Sequence, residues 1–215
     1  MEQPCSMKKY TYDVFLSFRG DTRFGFTGHL YNALRQRGIS TFMDHEALER
    51  GEQISATIFK AIEESRMAIV VFSKSYASST WCLEELLKIL DCKKTKKLKV
   101  YPIFYSVDPS EIRHQTGSYG QQLANHENKM RYKKEKVENW RLALHEASNL
   151  VGWSFKDGYN YTSLTPFFFF LLNSLHLVCI ISENLIFNRV DMCYCLSLIS
   201  MKMEIEIHPL VTVKK

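Results

Sequence analysis

Apolar residues gather in four short continuous runs, at residues 12–18, 39–43, 67–72 and 100–107. Continuous rather than alternating runs of this length are expected of parallel strands covered on both faces. Helical spacing fills the intervals. Leu30 and Leu34 share one helical face, as do Ile54, Ile58, Ala61 and Ile62, and then Leu83, Leu86, Leu87 and Leu90. Val137, Trp140, Leu144 and Ala147 mark a last amphipathic helix, and residues 152–155 read as a short edge strand. Alternation of strands with helices predicts an α/β domain, an open parallel five-stranded sheet with helices on both faces. Asp108-Pro109-Ser110-Glu111 reads as a helix start, with Asp as cap, Pro at the first helical position and Glu completing a capping box.

Charge divides the 215 residues into two parts. Residues 1–163 carry 24 Lys or Arg against 19 Asp or Glu, whereas residues 164–215 carry 4 against 4, so the whole net charge of +5 lies in the first part. A boundary near Thr162 follows, with 163–215 an atypical apolar tail and not an independent domain. Residues 167–181 are apolar but only 15 long and interrupted by Asn173, Ser174 and His176, short of the roughly 20 that a spanning helix needs. A membrane anchor there is the lesser alternative to a poorly folded tail. The lysine runs 93–99 and 133–136 lack interleaved aromatic residues and read as solvated surface, which argues against nucleic acid as a partner. Cys5, Cys82, Cys92, Cys179, Cys193 and Cys195 show neither a disulfide framework nor a paired metal spacing, and residues 1–11 are too polar for a signal peptide. No metal site and a reducing, intracellular setting are expected.

The chemistry concentrates where predicted strands end. SFRGDTR (17–23) follows the first strand, DHEALERGEQ (44–53) the second, and SKSYASSTWCLEE (73–85) the third. Ligands of open α/β sheets bind at that carboxyl edge. Arg19 suits a phosphate, Trp81 suits stacking on a base, and a carboxylate of the Glu84-Glu85 pair suits a developing cation. Both carboxylates read as lying in the first turn of a helix, where they would also favour its dipole whatever the protein does. No G-x-G, P-loop or nucleophile elbow occurs, so a dinucleotide-binding Rossmann turn is excluded.

YDVFLSFRG, DTRFGFTGHLYNAL, GISTFMD, LERGEQI, AIEESRMAIVVFSKSYASSTWCLEELLKI, VYPIFYSVDPSEIRHQTGSYG and WRLAL resemble, in order and spacing, the Toll/interleukin-1 receptor (TIR) domain of plant immune receptors over residues 10–160. That resemblance implies a flavodoxin-like sheet and, for many plant members, hydrolysis of the nicotinamide–ribose bond of NAD. NAD is then substrate, and no cofactor is implied. The family's catalytic carboxylate falls on Glu85. Phe18, Arg19 and Gly20, Asp44, Ser78 and Trp81 match positions lining the nucleotide pocket, and residues 44–53 match the mobile BB-loop. Implied partners are a second copy, other TIR domains and downstream immune signalling proteins, in the cytoplasm and also the nucleus.

The chain departs from the family in three ways. SFRG runs into DTR one residue early, Gly28-His29 stands where many members have Ser-His, and 163–215 resembles neither a nucleotide-binding module nor leucine-rich repeats. The last is expected of a truncated product or of a gene model read past an exon end. Two functions stand against each other: a NAD glycohydrolase acting in plant immunity, and a non-catalytic adaptor or decoy that binds other TIR domains. A phosphoacceptor role is weaker, because its acidic cluster is reduced to Asp44 and Asp108.

Overall fold

The computed structural model describes residues 10–44, 52–129, 134–158 and 164–175. Its strands are β1 (Tyr12–Phe18), β2 (Thr41–Met43), β3 (Ser65–Phe72), β4 (Lys99–Tyr105) and β5 (Trp153–Phe155). They form one sheet in the order β2-β1-β3-β4-β5, with every pairing parallel, as the apolar runs predict. The helices are α1 (Phe26–Gln36), α2 (Glu52–Glu63), α3 (Thr80–Lys96), α4 (Pro109–His114), α5 (Gly117–Lys129), α6 (Lys134–Ser148) and α7 (Thr165–Ser174).

Alternation along the buried strands sorts side chains between two cores. Phe15, Ala68, Val70, Phe72, Val100 and Phe104 face a cluster with Ile58 and Ile62 of α2, Leu83, Leu86 and Ile89 of α3, and Trp140 and Leu144 of α6. On the opposite face Phe26 of α1 packs against the rings of Tyr105 and Phe155 at 4.7 and 5.3 Å. Helices therefore cover both faces.

The chain divides into two compact units, 1–159 and 160–215. Within the second, the described residues are 164–175, which carry α7, a ten-residue helix. Among the described residues no helix is long and apolar enough to cross a membrane. Residues 176–215, and with them part of the apolar span 167–181, lie outside the described residues.

Two local readings change and one gains detail. β2 is shorter than the apolar run 39–43: the Ser40 carbonyl already receives the Asp13 and Val14 amides, but the regular register with β1 begins only at Thr41. Asp108 does cap a helix, accepting the Ser110 amide, but that helix ends after six residues. Gln115 and Gly117 both take left-handed backbone, at φ 55° each, and α5 starts afresh at Gly117. Finally, α3 begins at Thr80, capped by Ser79 accepting the Cys82 amide. Its first turn contains no acidic residue. Glu84 and Glu85 belong to the second turn, where the helix dipole offers them little.

Lysines of α3 are engaged in ion pairs. Lys93 and Lys94 meet Glu146 at 3.5 and 2.8 Å, Lys96 meets Glu63 at 2.8 Å, and Lys88 also reaches Glu63. Hydrogen bonds from Lys88 and then Lys96 hold the Glu63 carboxyl down at about 2. Its folded value lies below the ordinary 4.5, so its stabilising contribution is present above that value and lost as pH falls through the folded one. Glu63 is 35% exposed, and solvent screening holds that contribution below about 1 kcal/mol. Replacing Glu63 by Gln is expected to lower stability in urea melts at neutral pH, and the difference from wild type should close as pH falls towards 2.

Gly28, in the first turns of α1, has a packing reason to be glycine. A Cβ there would overlap the Arg23 carbonyl oxygen, a backbone atom that cannot swing aside as a flexible side chain does. In an open helix, replacing glycine would gain up to about 1 kcal/mol of helix propensity. Here Gly28→Ser is expected to destabilise by about 1–3 kcal/mol through the backbone overlap, read as a lowered unfolding midpoint. A serine variant as stable as wild type would show that the turn before α1 yields easily.

Candidate functional site

Because β1 lies between β2 and β3, the connections leaving β1 and β3 diverge, and the carboxyl ends of these two strands flank the switch point of the sheet. Phe18 is the last residue of β1, and Arg19 and Gly20 lead into a 3-10 turn at Gly20–Thr22. Asp44 directly follows β2. Ser78 closes a second 3-10 turn, Tyr76–Ser78, and Trp81 is the second residue of α3. The predicted site residues thus gather at one edge of the sheet. Arg19 and Ser78 are exposed, Gly20, Asp44 and Trp81 half-buried, and Phe18 buried. Of the BB-loop segment 44–53, residues 45–51 lie outside the described residues.

The two adjacent carboxylates separate. Successive helical residues diverge by about 100°, so one can face the sheet while the next faces a neighbouring helix. Glu84 turns to α6, where it accepts from Trp140 Nε1 at 2.9 Å and pairs with Lys136 at 2.9 Å. Glu85 turns inward. It sits within the buried stripe of Cys82, Leu86 and Ile89 and is only 5% exposed.

A buried carboxylate costs several kcal/mol unless hydrogen bonds replace its water. Ser17, fully buried on β1, donates to Glu85 Oε2 at 2.8 Å. Ser17 Oγ also lies 2.9 Å from the Tyr76 hydroxyl, which is itself 3.0 Å from the Cys82 carbonyl. Burial, with Cys82 and Glu85 adding to it, pushes the Tyr76 phenol well above its ordinary range, so it remains a protonated donor. The Cys82 thiol closes the group by donating to the Phe18 carbonyl at 3.4 Å.

The loop after β1 is secured to the strands on either side. Asp21 accepts from Ser73 at 3.0 Å and from Ser75, tying the loop to the end of β3. Arg23 lies over the Phe18 ring at 4.9 Å and donates to the Asp44 carbonyl, tying it to the end of β2. Thr22 donates to the Arg19 carbonyl at 3.1 Å. Ser17, Asp21, Arg23 and Tyr76 were not singled out from sequence. One signal was there for Ser17, a polar residue directly after the apolar run Val14, Phe15 and Leu16 of the strand.

Among the described residues no three His, Cys, Asp or Glu side chains converge as a metal cage. His114 and His145 instead contact the backbone carbonyls of Ser110 and Arg113.

Comparison with known proteins gives this geometry a lineage. Residues 11–165 match the model of the TIR domain. The chain is 54% identical over 160 residues to disease resistance protein RUN1 of Vitis rotundifolia, and 52% identical over 153 residues to TMV resistance protein N of Nicotiana glutinosa. These alignments cover 73% and 71% of this chain but only 12% and 13% of those proteins. Among solved structures, the TIR domains of the activated Roq1 resistosome, which directly recognises the pathogen effector XopQ, are 53% identical with a TM-score of 0.65. That alignment covers 70% of this chain and 92% of the Roq1 chain. In sequence and in strand order alike, this chain belongs to the TIR domain family, among the TIR domains of plant disease resistance proteins.

Proposed function

We propose that this TIR domain hydrolyses the bond between nicotinamide and ribose in NAD, with Glu85 as its catalytic carboxylate, and that it acts in plant immune signalling. The observation that carries this reading is the separation of the two carboxylates: Glu84 is consumed by Trp140 and Lys136, whereas Glu85 is turned into the sheet edge against Ser17. An apolar residue in that stripe of α3 would serve stability better than a charge. Retaining a carboxylate there makes sense if it has chemical work.

One carboxylate suffices for the reaction. As the C–N bond breaks, its electron pair neutralises the pyridinium nitrogen, so nicotinamide leaves as a neutral ring without a general acid. Positive charge develops on the ribose as an oxocarbenium-like ion, which a fixed carboxylate stabilises. Water then adds to the ribose carbon and releases a proton. Arg19 suits a phosphate of the substrate and Trp81 a stacked ring, with Phe18, Gly20, Asp44 and Ser78 completing the pocket.

Glu85 is 5% exposed in a single copy, so substrate needs the neighbouring loops to rearrange before it meets the carboxylate. Association with a second TIR domain is the natural cause, and the Roq1 relative is itself described in an assembled state. Downstream immune signalling proteins would respond to the nucleotide products.

Purified full chain at high protein concentration should release nicotinamide from NAD, with activity per protomer rising with concentration. Glu85→Gln should lower kcat by about 100-fold or more, as for loss of an electrostatic stabiliser. Glu84→Gln should leave kcat within a few-fold while lowering thermal stability. Undiminished release by Glu85→Gln would remove the carboxylate from the mechanism. A folded, self-associating wild type that releases none would instead identify a non-catalytic adaptor.

A further inference from the structure

Ser17 is out of place by the logic of the strand that carries it. It shares a sheet face with Phe15 and pairs in register with Val70, inside the core row of Phe15, Ala68, Val70 and Phe72. Yet it is fully buried, as is the Tyr76 hydroxyl it meets. Two buried hydroxyls in an apolar row cost stability unless each finds partners. They find them in each other, in the Cys82 carbonyl and in Glu85.

Proton counting gives the arrangement a direction. An ionised Glu85 only accepts, so the Ser17 hydrogen is committed to the carboxylate. Ser17 Oγ is then an acceptor towards Tyr76, whose single hydrogen is shared between Ser17 and the Cys82 carbonyl. Hydrogen bonds in a chain polarise one another, so the phenol strengthens the hold of Ser17 on the carboxylate.

The far end is anchored as well. The Tyr76 ring meets Phe72 edge-on at 4.9 Å, and Tyr119 of α5 donates to the neighbouring Ser73 carbonyl at 2.7 Å. The relay therefore runs from the packed core to the carboxylate.

We propose that Ser17 and Tyr76 are positioning residues: a buried hydroxyl relay that fixes the Glu85 carboxylate in the orientation the reaction needs, and so governs turnover and not substrate binding. The proposal rests on the catalytic role of Glu85 argued above, and goes beyond it by assigning work to two residues that need not touch substrate. Neither is exposed, so direct contact with NAD is not required of them.

The test uses the full chain, with Ser17→Ala, Ser17→Thr and Tyr76→Phe beside wild type. Nicotinamide release is measured together with the carbon-13 resonance of the Glu85 carboxyl, assigned by its disappearance in Glu85→Gln. Ser17→Ala is expected to lower kcat by about 10- to 100-fold with KM within about twofold, as misplacing a reacting group does. Ser17→Thr, which restores the hydroxyl, should recover most of that loss. Tyr76→Phe removes one oxygen and keeps the packed ring, so it guards against a merely unfolded variant; about a 3- to 10-fold loss in kcat is expected. The Glu85 resonance should move in Ser17→Ala and return in Ser17→Thr, while that of Glu84 stays fixed.

An unchanged kcat in Ser17→Ala, a threonine variant no better than alanine, or a shift falling on KM alone would overturn the proposal while leaving the NAD reading intact. A wild type that releases no nicotinamide overturns the NAD reading and the claim on turnover together. The carboxyl resonance then still decides whether Ser17 holds Glu85, and an unmoved resonance removes that as well.

Discussion

A carboxylate lies inside the apolar stripe of α3, and much of the switch-point architecture answers to it. Glu85 stands between Cys82 and Ile89 on the face that packs against β1 and β3. Taking that charge out of water costs several kcal/mol, so a donor must be waiting at the right place in the sheet. Ser17 can be that donor only at the last inward position of β1, next to the point where the strand gives way to its loop. This requires β1 and β3 to end within a residue of each other, as their register achieves through Ser17 opposite Val70 and Phe18 opposite Val71. The polar atoms then lie at the rim of the core, where the sheet opens, and the hydrophobic face behind them remains intact.

This arrangement explains which parts of the molecule can be read from the chain in order. Strand runs are local, and β1 coincides with its apolar run because seven consecutive residues, Tyr12 to Phe18, hold the information. α5 escaped the hydrophobic reading because its sequence, GSYGQQLANHENK, is polar overall. Its buried face, Tyr119, Leu123 and His126, is nonetheless spaced as a helix requires. The displaced start of α3 has a local cause as well, since a serine cap three residues before Cys82 was readable in principle. With that cap, Glu84 and Glu85 fall one turn deeper, and dipole stabilisation no longer accounts for them.

The site was legible only in part, for a different reason. The strand ends that carry Phe18, Arg19, Gly20, Asp44, Ser78 and Trp81 follow from topology alone. What surrounds Glu85 does not: Ser17 is 68 residues away in sequence from Glu85 and 59 from Tyr76. Nor does the fate of Glu84, whose partner Trp140 lies 56 residues on. Two neighbouring glutamates look equivalent until one knows which helix packs beside them. Resemblance to a family ranks them; only the contacts supply a physical distinction.

The loop after β1 bears on how a ligand would be met. It closes as a 3-10 turn, and Asp21 and Arg23 bind it to the ends of β3 and β2 on either side. Held at both flanks, the backbone at Arg19 is largely ordered before any ligand arrives, while the side chain remains exposed. Ordering that precedes binding need not be paid again at the moment of binding. One turn later the Arg23 carbonyl occupies the space a side chain at position 28 would need. Arg23 thus joins the loop to its neighbours twice, its side chain tied to the end of β2 and its carbonyl packed against Gly28 of α1.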